Sequence, residues 1–171
     1  MTTWIAPPAH RVPEPQTGPE RAMLQGWLDW HRQTLLSKCA GLTAEQLKTA
    51  SAPPSTLTLL GLVRHLALVE QSWIARATDT EERWVYGSDD NPDGDFDDIA
   101  GADAEADFRT YAAEVADADR KIADFGLDHE FSTPRGTKSV RWVYLHLIEE
   151  YARHNGHADL LRERIDGTTG D

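Results

Sequence analysis

Four stretches of this chain repeat apolar residues at intervals of three and four, and each ends at proline, glycine or a polar capping residue. The first, over residues 20–40, carries Leu24, Leu28, His31, Leu35 and Cys39 on one stripe with Trp27 beside it. The second, over 55–76, carries Leu59, Leu62, Leu66, Val69 and Trp73. The third, over 103–123, presents Phe108, Tyr111, Val115 and Ile122, and the fourth runs over 140–165 between Ser139 and Gly167. This is the period of a helix packed on one side, and no run alternates with the period of two that a half-buried strand needs. The expected fold is therefore all-α, a four-helix bundle. Thr43-Ala44-Glu45-Gln46 adds a capping-box pattern for one short extra turn. Residues 1–19, with Pro7, Pro8, Pro13, Pro15 and Pro19, read as an extended arm anchored by Trp4 and Ile5 on a single bundle domain of residues 20–167. The segment 126–138 reads as a loop.

Composition narrows the function. A chain of 171 residues, 40% hydrophobic and 27% charged, has the size and make-up of one globular domain. Its net charge of -12 argues against nucleic acid and against an anionic membrane surface. No stretch approaches the roughly 18 apolar residues of a membrane span, and the N-terminus lacks the pattern of a signal peptide, so a cytoplasmic location is expected. The single cysteine, Cys39, excludes an internal disulfide framework and a Cys-rich zinc module, and its place at the end of an apolar helix predicts a buried packing role.

The fourth helix carries the chemistry. At about 100° per residue, with His146 at zero, Glu150 falls near ~40°, His154 near ~80° and His157 near ~20°. Trp142, Val143, Leu147, Leu160, Leu161 and Ile165 span roughly -40° to 100° on the same wheel, while Arg141, Asn155, Asp159 and Glu163 take the opposite side. A carboxylate on an apolar face needs a strong partner. A divalent cation is one, because residues at i and i+4 reach a single ion together and His65 of the second helix would supply a third ligand. Three protein ligands leave positions for water or substrate, which is the arrangement of a catalytic site. The alternative is a buried Glu150–Arg153 or Glu150–Arg64 ion pair, with His154 hydrogen-bonded to a neighbouring helix. His31 reads as a core or pocket histidine rather than a fourth ligand, and His146 as a support for Glu150. Asp89-x-Asn91-x-Asp93-Gly94 imitates the start of a calcium loop but has Ala100 at the twelfth position, so it reads as a solvated acidic turn.

Three segments carry a family resemblance: Leu60-Gly61-Leu62-Val63-Arg64-His65-Leu66, Arg141-Trp142-Val143-Tyr144-Leu145-His146, and Glu149-Glu150-Tyr151-Ala152-Arg153-His154-Asn155-Gly156-His157-Ala158-Asp159-Leu160-Leu161. Together they resemble an actinobacterial branch of the DinB-like (YfiT-like) superfamily. The resemblance implies a bundle of up-down-down-up topology, often dimeric, with a divalent metal held by three side chains. The superfamily's usual His-x3-His on the last helix is replaced here by Glu-x3-His, which resembles the mycothiol-dependent maleylpyruvate isomerases. Carried over, the ligands are His65, Glu150 and His154, and His157 becomes a residue behind the ligands or facing the substrate; His157, together with His31 from its place on the first helix, is the candidate for binding the cofactor.

The implied activity is a metal-dependent thiol S-transferase or isomerase acting on a small molecule, with mycothiol as cosubstrate and zinc or nickel, or else iron or manganese, as the metal. No catalytic residue beyond the ligands is assigned. A non-catalytic ligand-binding or dimerising module and a metal-dependent hydrolase stand as alternatives.

Overall fold

The structure, a computed structural model, describes residues 4–170, so residues 1–3 of the expected arm lie outside the described residues. Four long helices make the body: α1 (Glu20–Cys39), α3 (Leu59–Ala77), α5 (Ala104–Ile122) and α6 (Val140–Asp166). The connections hold two single-turn helices, α2 (Ala44–Leu47) and α4 (Gly94–Asp97), and the strands β1 (Glu130–Thr133) and β2 (Gly136–Ser139).

Local chemistry sets the helix ends. The Thr43 hydroxyl accepts from the Gln46 amide and the Gln46 side chain accepts from the Thr43 amide, completing the capping box. Asp103 and Ser139 each accept an orphan amide at the starts of α5 and α6. Gly167 ends α6 at φ +79°, where a side chain would be strained. The second long helix begins at Leu59 rather than near Ser55, because Thr58 is the cap and accepts from the Gly61 amide at 2.9 Å.

The expectation of a plain loop over 126–138 is corrected. β1 and β2 pair antiparallel from Glu130↔Ser139 to Thr133↔Gly136, around a two-residue turn of Pro134 and Arg135. With Phe131 as their one apolar residue, these short strands carry no apolar alternation to announce them.

Side-chain contacts give the helix directions. Arg21 meets Tyr144 near the starts of α1 and α6, and Arg162 meets the Lys38 carbonyl near their ends, so these two helices run parallel. Trp73 packs on Trp142 while His65 packs on His154, so α3 runs against α6. Arg64 contacts Asp107 and Arg83, past the end of α3, contacts Glu114, so α5 follows α3. The bundle is up-down-down-up. Its core is built from Leu28, Leu35, Leu62, Leu66, Leu147 and Tyr151, all at most 1% exposed, with many smaller neighbours. No helix of the described residues is long and apolar enough to cross a membrane.

A polar network runs through the middle of this core. Arg32, 3% exposed, forks onto the fully buried Glu70 with bonds of 2.7 and 2.9 Å. Tyr151 donates to the same carboxylate at 3.1 Å and lies 2.9 Å from the Tyr111 hydroxyl. One cluster thus ties all four long helices together. At the N-terminus, Trp4 packs edge-on against Phe108, whereas the Ile5 side chain is exposed and only its backbone bridges to Thr43.

Candidate metal centre

The three ring and carboxyl groups singled out by the sequence meet. One ligand atom from each of His65, Glu150 and His154 lies within 4.8 Å of the others. The α6 spacing of four brings the Glu150 Oε2 and His154 Nε2 atoms to 3.5 Å. That is close to the ~3.4 Å between two ligands of a tetrahedral ion with bonds of about 2.1 Å. From α3, the His65 ring lies 4.9 Å from the His154 ring. The side chains are 23%, 15% and 10% exposed for His65, Glu150 and His154, so the cluster opens to solvent on one side.

This position differs from the helical-wheel expectation. The buried residues of α6 are Val140, Val143, Tyr144, Leu147, Tyr151, His154, Asn155, Ala158 and Leu161, an arc from about 60° to 180° on the same wheel. Leu160 is 62% exposed and Asn155 is buried, which reverses their expected sides. Glu150 therefore stands at the rim of the buried arc rather than inside it. Polar partners on neighbouring helices explain the shift: Tyr151 donates to Glu70 of α3 and Tyr144 to the Gln25 side chain of α1, which draws the buried side of α6 toward them.

The neighbours of each group set its chemistry. His65 Nδ1 lies 2.8 Å from Oδ2 of Asp95, a carboxylate only 2% exposed, and the ring stacks on Phe96. Because a carboxylate accepts, Nδ1 is the donor in this pair and Nε2 is the ring nitrogen left outside it. His154 turns Nδ1 toward His157 Nδ1 at 3.3 Å, leaving Nε2 toward Glu150. Burial, helped by the neighbouring His65 and His157 rings and by Arg153, pulls His154 down to about 4, so its imidazole is neutral at pH 7. His146 is stacked on Trp142, edge-on to Trp73, and has Nε2 3.5 Å from Glu150 Oε1. Burial lowers its pKa against the pull of Glu150 and Glu149.

Of the two alternative ion-pair partners of Glu150, only Arg153 reaches it, at 3.9 Å. Arg64 is spent on Asp107 and on the carbonyls of Gly94 and Asp95. Arg153 turns its other nitrogen to Glu149, with which it makes the much closer pair. His146, Glu149 and Glu150 form a second possible ligand group, but the Arg153 guanidinium already supplies that corner with positive charge. His31 stands apart from the cluster. It packs against Trp30 and Trp27, and its carbonyl accepts from Asn155.

The expectation of a solvated acidic turn holds for Asp89, Asp90 and Asp93 but fails two residues later, where Gly94 and Asp95 are buried. Phe96 and Ile99, apolar residues among aspartates, are the sequence signal that this segment returns to the body. Cys39 is fully buried, and burial pushes its thiol up to about 12. A cavity of about 1120 Å³ lies elsewhere, between the N-terminal segment, α1 and α5, and none of the three ligand candidates lines it.

No curated protein sequence matches this chain closely enough to count as a relative. The sequence model of a family described as mycothiol S-transferase matches residues 23–167, from the first turn of α1 to the glycine that ends α6. That span includes every residue of the cluster, and the chain belongs to the mycothiol S-transferase family, within the DinB-like superfamily.

Proposed function

We propose that this protein is a metal-dependent thiol S-transferase, joining mycothiol to a small electrophile at the rim between α3 and α6. One observation carries the reading: two imidazoles and a carboxylate converge at a solvent-open edge, with Arg153 held 3.9 Å from Glu150 and bonded to Glu149, in a chain of this family. His65, Glu150 and His154 would hold the ion, and two nitrogens with one carboxylate suit zinc or nickel. When bound, such an ion stabilises the thiolate form of an incoming thiol and leaves coordination positions free for it.

The remaining work falls to the chain's own side chains. Glu150 supplies one negative charge to the site. His154, kept neutral by burial, offers a lone pair instead of a proton. Trp73 and Trp142 wall the rim and hold the His146 ring in place, and His146, also lowered by burial, is set to take the proton that leaves the thiol. Cys39 is too deeply buried and too weakly acidic to serve as the nucleophile, so the thiol comes from a cosubstrate.

The test is an S-transfer assay with zinc-loaded protein, mycothiol and a fluorogenic alkyl halide. The reading predicts product formation well above the uncatalysed rate, abolished by chelation and restored by metal. A zinc-bearing protein that accelerates transfer from neither mycothiol nor any other low-molecular-weight thiol overturns it.

A further inference from the structure

We propose that Asp95, delivered by the acidic segment after α3, is the positioning residue for His65, fixing its tautomer and ring orientation so that Nε2 faces the site. The inference rests on the metal reading for its consequence, and on four observations for its geometry. Asp95 Oδ2 and His65 Nδ1 are 2.8 Å apart. The other carboxylate oxygen is occupied, accepting from the Phe96 amide at 3.1 Å, so the group has little freedom to turn. Phe96 stacks on the same ring with centroids 4.8 Å apart. The backbone that carries both residues is clamped from below by Arg64, the neighbour of His65 in sequence. Its Nε donates to the Asp95 carbonyl at 3.0 Å and its Nη2 to the Gly94 carbonyl at 2.9 Å.

The turn that makes this possible needs its glycines. Gly87 takes φ +84°, and a Cβ there would come 2.6 Å from the Asn91 carbonyl oxygen. A Cβ on Gly94 would come 2.7 Å from the Cα of Gly87. Both contacts are with backbone that cannot yield cheaply, so the two strands of the turn close only without side chains. The segment thus presents a buried carboxylate to a ring on the adjacent helix. A neutral imidazole in water favours the hydrogen on Nε2; the carboxylate imposes the other tautomer and frees the outer nitrogen as a ligand.

Two measurements test this. In metal-free wild-type protein at pH 8, nitrogen-15 spectra of the His65 ring should show hydrogen on Nδ1; hydrogen on Nε2 overturns the proposal with no variant required. Zinc affinity, measured by competition with a chelator, should fall about 10- to 100-fold in Asp95→Ala. Asp97→Ala removes an equal charge from the same turn at an exposed position and should stay within about twofold of wild type. Equal losses in the two variants would mean that the segment acts by charge alone, and an unchanged affinity in folded Asp95→Ala would mean that it does not act on the ligand; either result overturns the inference. A wild type that binds no zinc removes the metal reading itself. Zinc held equally by wild type and Asp95→Ala removes only the role of Asp95.

Discussion

Replacing Arg32 with methionine tests the buried network that fixes α6 against its neighbours. Arg32 is 3% exposed and Glu70 not at all, and their two bonds are 2.7 and 2.9 Å. In Arg32→Met the Glu70 carboxylate keeps only the Tyr151 hydroxyl at 3.1 Å. Stripping one partner from a buried ion pair costs about 3–5 kcal/mol, because the surviving charge is left desolvated. Protonation caps that penalty: neutralising a carboxyl of ordinary pKa about 4.3 at pH 7 costs about 3.7 kcal/mol. The expected loss is thus about 3–4 kcal/mol, or roughly 6–16 °C in Tm for a domain of this size. At pH 5 the same protonation costs only about 1 kcal/mol, so most of the deficit should vanish there. Urea denaturation of metal-free protein at both pH values measures this. Arg32→Met/Glu70→Met should regain most of the lost stability, because no charge is then buried. A single variant within about 1 kcal/mol of wild type at pH 7, or a double variant less stable than the single, would refute the reasoning.

Two further expectations follow from the site. His154, lowered to about 4 in the folded chain from an ordinary 6.5, binds its proton more readily when unfolded, so metal-free protein should lose stability as pH falls through the window from about 6.5 to 4. The full shift corresponds to about 3 kcal/mol, and His154→Gln should flatten that part of the stability–pH curve. A curve of unchanged slope in the variant would show that other groups dominate. His146→Ala should lower kcat/KM for thiol transfer by about 10²–10⁴-fold, the range for a lost general base, while metal content stays at the wild-type level; metal lost together with activity would make His146 a ligand instead.

The helices were legible because their apolar period and caps agree. Thr43, Asp103, Ser139 and Gly167 stand where the chain's own polar groups must satisfy helix ends. The ligand candidates were legible for a related reason: a carboxylate and imidazoles close to an apolar stripe are costly unless partnered. What escaped was long-range polar pairing. Arg32 and Glu70 look like ordinary solvent-facing charges, and only the fold, across 38 residues of sequence, reveals that each buries the other. Tyr144, Tyr151 and Asn155 then move the buried side of α6 away from Leu160, which a wheel built on hydrophobicity alone places inward. Asp95 escaped in the same way, hidden in an acidic run whose other aspartates do face water. The hairpin of β1 and β2 escaped because strands of four residues with one apolar side chain between them, Phe131, leave no period to read.

Metal stoichiometry by elemental analysis, after dialysis against zinc and removal of unbound ion, bears most directly on the site. The three converging side chains predict about one equivalent per chain in wild type and close to none in His65→Ala and in Glu150→Ala, each still folded as a helical bundle. Zinc retained at one equivalent in both variants, or absent from wild type, would contradict the assignment of His65, Glu150 and His154 as the metal ligands.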